Sequence, residues 1–282
     1  MSDGKSLEEK AGQLRNAGKG YEAAKAYQQA KQAYLQADDL TRAAGMQHMI
    51  GVSYKIENDL EQAMPAYEIA TADYEKAGNK LGPGRVERDI GIMLEYHDRL
   101  DEAEQHLQKS KELLEQLPDD QQSAQSAQES TSRDAELGIT LAKIGLLYTR
   151  QKKFDQAEGP LQQGLRLIRA VGHPFYEMTT LLHLGSLYFE IGLAEHMLTH
   201  LQAALGILDE YGLKQGQSRR LAQIHGLLAH GYAQLGNHVM AEHFARQSLD
   251  FINSLSVSAQ RPLRNDIRAG ELEALLKEGS NP

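Results

Sequence analysis

The chain has 282 residues, 41% of them hydrophobic and 24% charged, and this balance excludes a disordered or collagen-like protein. It contains no Cys, which excludes disulfides, Cys-ligated metal centres and thiol nucleophiles. The formal net charge of −9 argues against a nucleic acid or an anionic membrane surface as the partner.

The chain begins with MSDGKSLEEKAGQL, which is charged and lacks the apolar core of a secretory signal. No stretch of the sequence approaches the ~18–20 consecutive apolar residues of a membrane span. Ala, Leu, Gln, Glu and Lys are common and Val is scarce, which favours helices over a large sheet. We therefore expect an all-α protein of the cytoplasm.

Six segments of the chain share one pattern, most of them at intervals of about 40 residues. Each contains a small residue that serves as its reference position: Ala11, Gly51, Gly91, Gly145, Gly185 and Ala229. A large residue follows three positions later: Leu14, Tyr54, Leu94, Tyr148, Tyr188 and Tyr232. A second apolar set begins further on, at Ala23, Ala63, Ala103, Ala157, Met197 and Ala241. The spacing within each set places its members on one face of a helix.

A turn-prone position separates the two sets in every segment: Gly18, Asn58, Asp98, Lys152, Gly192 and Gly236. Five of these six are Gly, Asn or Asp, which tolerate left-handed backbone geometry. Each segment is therefore predicted to be a helix, a tight turn and a second helix. One such hairpin cannot bury its apolar stripe alone, so neighbouring hairpins must stack. Asp38 is predicted to cap the helix that follows it.

The segments IGVSYKIENDLEQAMPAYEIA and IGLLYTRQKKFDQAEGPLQQG carry the pattern most plainly. In these residues the chain resembles the tetratricopeptide repeat (TPR) family, over roughly residues 5–255. The longer repeat is similar to that of Pins-type adaptors, kinesin light chains and Rap-type receptors. The sequence departs from the family at the aromatic position four residues before the small one, which is Leu7, Gln47, Glu87, Leu141, Leu181 or His225 here. The resemblance implies a right-handed superhelical solenoid of six TPR-like helical hairpins plus a C-terminal capping helix.

The repeats are predicted to occupy residues 1–258, with a Ser/Gln-rich insertion at 118–131 that lengthens the interval between Gly91 and Gly145 to 54 residues. The insertion contains no apolar residue larger than Ala, so we expect a loop with some helix at its ends. Residues 259–282 read as one amphipathic capping helix and a tail, with Pro262 near the helix start and Gly279 past its end.

The first helices of a stacked solenoid line an extended concave groove. The exposed stripe of these helices mixes apolar side chains with charged and hydrogen-bonding ones, a composition that suits an amphipathic helix or an extended peptide. A face buried by the fold would not hold Arg88, Lys143, His183 and Glu190. The alternative is that the neighbouring repeat packs over part of this stripe. The predicted partner-binding groove consists of Met49, Val52, Arg85, Arg88, Ile92, Tyr96, Lys143, Leu146, Arg150, His183, Phe189 and His230.

The sequence contains no phosphate-binding loop, dinucleotide-binding glycine motif or serine-hydrolase motif. We expect a scaffold that is not an enzyme, without catalytic residues, cofactor or metal, that binds a protein or peptide and that could form a homodimer. One alternative is a peptide-responsive regulatory receptor of the Rap-like type. A second is a metal-dependent hydrolase that uses the C-terminal His cluster, where His196 and His200 share a helix face.

Overall fold

The computed structural model describes residues 2–118, 124–212, 218–254, 264–265 and 267–278, with side chains for 3–118, 132–212, 219–254, 264–265 and 267–277. Within these ranges the secondary structure is entirely helical. The helices are α1 (Ser2–Asn16), α2 (Gly20–Gln36), α3 (Leu40–Ile56), α4 (Leu60–Lys76), α5 (Leu81–Tyr96), α6 (Leu100–Glu115), α7 (Ala124–Arg150), α8 (Phe154–Ala170), α9 (Pro174–Glu190), α10 (Ala194–Glu210), α11 (Ser218–Gln234), α12 (His238–Asn253) and α13 (Ala269–Glu278). The predicted all-α class is confirmed. No helix in the described part of the chain is both long and apolar enough to cross a membrane.

The chain divides into two compact units, Met1–Lys143 and Ile144–Pro282, and the boundary falls within α7. In unit 1, each odd-numbered helix from α1 to α5 packs against the helix that follows it, and the hairpins stack through α2 on α3 and α4 on α5. In unit 2, α9 with α10 and α11 with α12 form hairpins that stack through α10 on α11, and α8 packs against α9. These are the hairpins that the repeated pattern predicts.

The small residues of the pattern let the second helix of each hairpin approach the first. A methyl group at Gly51 would lie 2.5 Å from Cδ1 of Tyr67, and one at Gly185 would lie 2.5 Å from Cδ2 of Leu201. At Gly145 the corresponding distance to Cγ of Leu161 is 2.4 Å. Real Cβ atoms do not come this close to their neighbours, so a larger residue would force the paired helices apart. The predicted packing role of these glycines is confirmed.

The predicted turn positions all adopt a left-handed backbone. Their φ angles are 73° at Gly18, 58° at Asn58, 58° at Asp98, 59° at Lys152, 77° at Gly192 and 73° at Gly236. The turn at Lys152 shows the hydrogen bonding: Lys152 N donates to Thr149 O at 3.1 Å, and Lys153 N donates to Tyr148 O at 2.9 Å. This pair of bonds is the Schellman motif, which satisfies carbonyl groups that the end of a helix leaves unpaired. The large residue of the pattern therefore also supplies a backbone acceptor to the turn.

Asp38 does not cap α3 as predicted. It adopts a left-handed φ of 56°, and the neighbouring Asp39 is the cap, because its carboxylate accepts a hydrogen bond from Arg42 N at 3.0 Å. Asp38 therefore forms the left-handed turn between the two repeats, and Asp39, one residue later, caps α3.

Polar residues replace the family's aromatic at three positions, and each finds a distinct partner on another helix. Gln47 donates to Ala66 O at 3.1 Å. The carboxylate of Glu87 accepts from His106 at 2.6 Å and pairs with Lys109 at 2.5 Å. Burial alone would raise the pKa of Glu87, but hydrogen bonds from these two partners lower it. The ring of His225 lies against Phe244 and Phe251, with centroid distances of 5.5 and 5.8 Å.

Two segments differ from the predicted boundaries. Helix α7 begins at Ala124, inside the predicted 118–131 insertion. Residues 124–131, which were expected to belong to a loop with some helix at its ends, are therefore helix throughout, and residues 119–123 lie outside the described ranges. The C-terminal helix spans only Ala269–Glu278, and Pro262 and Gly279, its predicted markers, lie outside the described ranges. Helix α13 packs against α12, and it covers the end of the last hairpin as predicted. The apolar cluster there comprises Ala222, Ala229, Ala245, Leu249, Ile252, Ile267, Ala269 and Leu272.

Candidate partner-binding face

Side-chain contacts link the first helices of unit 1 to one another. Arg15 of α1 lies 3.9 Å from the Met49 sulfur of α3, and Lys55 of α3 pairs with Asp89 of α5 at 2.5 Å. We call the surface formed by α1, α3, α5 and the unit 1 part of α7 the unit 1 face. It carries the first part of the predicted groove.

The apolar side chains of this face reach solvent to different degrees. Met49, Val52 and Ile92 are half-buried, while Ile56 is 42% exposed and Tyr96 is 66% exposed. Tyr96 and Ile56 lie at the C-terminal ends of α5 and α3, beside the turns into the second helices. The face therefore presents apolar groups that the fold itself does not cover.

A largely buried carboxylate, that of Asp89 with 14% of its side chain exposed, organises the charged part of the face. Asp89 accepts from the Nε2 of His48 at 3.0 Å, in addition to its ion pair with Lys55. The Nδ1 of the same imidazole faces the hydroxyl of Tyr74 at 3.4 Å. An imidazole with its proton on Nε2 satisfies both contacts, because a carboxylate only accepts and a hydroxyl can donate.

The same contacts set the ionisation of Asp89. Burial alone would raise the pKa of the Asp89 carboxyl. The Lys55 ammonium and the His48 ring outweigh that effect and hold the pKa of Asp89 well below its usual range. The carboxylate is therefore charged at neutral pH and fixes the position of Lys55 on the face. Lys55 lies four residues after Gly51, so helical periodicity alone could have placed it beside the predicted stripe.

A second charged cluster ties α5 to α7. Glu136 pairs with Arg85 at 2.7 Å and also with Arg88. Burial would raise the pKa of Glu136, but the charges of Arg88 and Arg85 lower it. Arg88 is only 9% exposed, so the expectation that a buried face would not hold this charge is wrong; Glu136 compensates it. Arg85 remains one-third exposed and is the member of this cluster that a partner can reach. Lys143 is half-buried on α7, at the end of unit 1.

In unit 2 the predicted groove residues divide into accessible and buried ones. Arg150 is exposed and Leu146 is half-buried. His183, Phe189 and His230 are each 7% exposed or less. The expectation that a buried face would not hold His183 is therefore wrong, as it is for Arg88. Phe189 and His230 lie beneath the C-terminal segment, in contact with Arg268 and Ile267 respectively. The sequence predicted that this segment covers only the end of the last hairpin.

The histidines of unit 2 take separate structural contacts. His196 and His200 both lie against the ring of Tyr188, each with a centroid distance of 5.2 Å. His200 also bonds to the carbonyl of His196 through its Nδ1 at 2.7 Å. Within the described residues, no three His, Asp or Glu side chains come together in a metal-binding arrangement.

The comparisons with known proteins agree with this architecture. A family model described as SNAP, soluble NSF attachment protein, matches residues 5–86. BtubC (BKLC) from P. vanneervenii superposes with a TM-score of 0.61 at 14% identity, over 86% of this chain and 92% of its own. A search of the curated proteins finds no significant match.

Two further solved structures align over almost the whole chain. Aspartyl phosphate phosphatase F from Bacillus subtilis has a TM-score of 0.59 at 11% identity, over 98% of this chain and 82% of its own. The apo form of RapI has a TM-score of 0.59 at 14% identity, over 98% and 99%. At these identities the similarity is one of fold. The predicted TPR-type repeat fold is confirmed: the chain is a TPR-like helical-repeat protein.

Proposed function

We propose that the protein is a non-catalytic scaffold or adaptor that binds a segment of another protein on its unit 1 face. One observation carries the proposal: the face combines exposed apolar side chains, Tyr96 and Ile56, with charged groups whose positions are already fixed. Apolar anchors supply affinity, and fixed charges supply register at little entropic cost on binding. The TPR-like fold supports a role in protein interaction.

The partner is an amphipathic helix or an extended segment with apolar side chains. Met49, Val52 and Ile92 form the half-buried floor of the face. The exposed groups stand at one end of α3 and α5. Lys55 and Arg85 stand beside this floor, each held by a carboxylate, and offer hydrogen bonds to a partner's polar groups.

The test is affinity capture from a lysate of the source cells, with proteins identified by mass spectrometry. The face variant carries Ile56→Asp and Tyr96→Ala. The matched control carries Ile69→Asp on the second helix α4 and Tyr211→Ala at the end of α10, where the side chains are 50% and 55% exposed. We expect wild type and control to capture the same protein and the face variant to lose it. Equal capture by all three would show that the unit 1 face is not the binding site.

A peptide-responsive receptor of the Rap-like type is the second candidate. It is supported by the alignment of RapI over 98% of this chain. Such a receptor changes its dimensions when its ligand binds, whereas a rigid scaffold does not. Small-angle scattering with and without the captured segment separates the two: a smaller radius of gyration in the complex supports the receptor, and an unchanged radius supports the scaffold.

A further inference from the structure

The C-terminal segment of the chain, residues 267–278, lies on the first helices of unit 2 as well as on the last second helix. Its first apolar residue, Ile267, is fully buried. A methyl group at Gly226 of α11 would lie 2.9 Å from the Cβ of Ile267. Ile267 therefore contacts the α11 backbone at Gly226, and any residue larger than Gly at position 226 would displace it.

Recognition of the segment includes its main chain. The Nε2 of His230 lies 2.8 Å from the carbonyl oxygen of Ile267, and because a carbonyl only accepts, Nε2 is the donor. Burial lowers the pKa of His230, although the bond to Ile267 opposes this effect. His230 is thus a neutral donor at neutral pH, and its hydrogen bond is to a peptide carbonyl. Its Nδ1 faces the exposed carboxylate of Glu271 at 3.7 Å, which also opposes the fall in its pKa.

The next residue of the segment, Arg268, is recognised through its side chain. Its guanidinium carbon lies 4.4 Å from the centre of the Phe189 ring, and its Nη2 lies 3.3 Å from Oε2 of Glu190. A cation over an aromatic face with a carboxylate beside it is a recognition arrangement for arginine. Arg268 also adopts a left-handed φ of 48°, a conformation that is unfavourable for a residue with a Cβ and that the surrounding contacts maintain.

The segment is also anchored beyond these two residues. Ala269 and Leu272 are buried in the apolar cluster with Ile252 of α12. The whole arrangement lies within unit 2 and uses two residues that sequence reasoning assigned to the partner groove, Phe189 and His230.

We propose that Phe189, Glu190, Gly226 and His230 form a peptide-recognition site specific for an aliphatic residue followed by arginine, and that the chain's own C-terminal segment occupies this site. The site is separate from the unit 1 face. An external ligand of unit 2 has to present the same pair of side chains and displace the segment. This goes beyond the proposed function, because it assigns a second site with its own specificity and a built-in competitor.

The test uses a fluorescent peptide with the sequence of residues 264–278 and full-length protein in which Ile267→Asp and Arg268→Glu release the segment. We expect the released variant to bind the peptide at least tenfold more tightly than wild type does, by fluorescence anisotropy. A peptide that carries the same two substitutions should not bind. Equal affinity of the released variant and wild type, or of the two peptides, would overturn the proposal.

Charge reversal tests the specificity for arginine. Glu190→Lys in the released variant should weaken binding of the native peptide about fivefold. A peptide with Arg268→Glu should recover part of this loss, because it restores the ion pair but not the cation over the Phe189 ring. Glu190 lies at the surface, so this substitution leaves the fold intact. Absence of recovery by the reversed peptide would contradict the assignment of Glu190.

A second experiment applies if the released variant fails to fold, as judged by circular dichroism. In the otherwise native chain, Glu190→Ala should raise the rate of tryptic cleavage after Arg268 about threefold, followed by mass spectrometry. The matched control is Glu210→Ala on α10, an exposed carboxylate remote from the segment in sequence, which should leave the rate unchanged. Equal rates in wild type and Glu190→Ala would overturn the proposed site.

Discussion

Substitution of Gly145 by Ala tests the close packing of the hairpins against intrinsic helix propensity. Propensity alone predicts that Ala stabilises a helix interior by about 1 kcal/mol relative to Gly. At Gly145 the added methyl group would lie 2.4 Å from Cγ of Leu161 and 2.8 Å from the backbone oxygen of Ala157. A backbone atom cannot move aside as the end of a side chain can, so α7 and α8 must separate.

The expected result is a loss of stability. Overpacking a close contact costs roughly 1–3 kcal/mol, which exceeds the propensity gain. We therefore expect Gly145→Ala to lower the free energy of unfolding by about 1 kcal/mol and Gly145→Leu to lower it by ~2–3 kcal/mol or more. Urea unfolding followed by circular dichroism at 222 nm measures both changes.

Gly206 provides the matched control in the neighbouring hairpin of the same unit. It lies in α10 and is exposed, and a methyl group added there would have no atom within 4 Å apart from its chain neighbours and the nearby backbone of its own helix. Gly206→Ala should therefore follow propensity and stabilise the protein by up to ~1 kcal/mol. The two substitutions are chemically identical and should have opposite signs. If Gly145→Ala stabilises the protein as Gly206→Ala does, the close packing of α7 on α8 is wrong.

Two further predictions concern the turn at Lys152 and the largely buried carboxylate of Asp89. Lys152 has a φ of 59°, which is unfavourable for a residue with a Cβ, so Lys152→Gly should stabilise the protein by about 1 kcal/mol in urea unfolding. Gly192→Ala, at a φ of 77°, should destabilise it by a similar amount. A loss of stability with Lys152→Gly would contradict the left-handed turn. Asp89→Asn should lower the free energy of unfolding at pH 7 by about 2 kcal/mol, because it leaves Lys55 without its carboxylate. Since the pKa of Asp89 is depressed in the folded protein, its stabilising effect is complete above about pH 5 and is lost as the pH falls below the ordinary value of 3.8. The difference between wild type and Asp89→Asn should therefore shrink in acid, and a difference that is constant down to pH 3 would contradict this reasoning.

The hairpins and their turns could be predicted because their signals are local. Small and large residues three positions apart define a helix face, and the turn positions precede the second helix at a nearly fixed distance. Even Lys152, whose residue type does not favour a left-handed backbone, was located correctly by its place in the repeat.

The burial of individual groove residues could not be predicted, because it depends on distant parts of the chain. Arg88 is buried because Glu136 lies on another helix, 48 residues away. His230 is covered by Ile267, 37 residues away, and its bond is to a backbone carbonyl that leaves no pattern in the sequence. A stripe on one helix indicates which side chains share a face, but it does not indicate what comes to lie upon that face.

The polar residues at the family's aromatic position give each hairpin its own identity. Gln47 requires a backbone carbonyl on α4, Glu87 requires the imidazole of His106 and the ammonium of Lys109 on α6, and His225 requires aromatic rings on α12. If one hairpin were excised or transposed, these groups would face neighbours that cannot satisfy them, and a buried carboxylate such as Glu87 would lose its hydrogen-bond partners. Although the repeats look alike, they are not interchangeable, because each of these three contains a polar group that only the helix following it can pair.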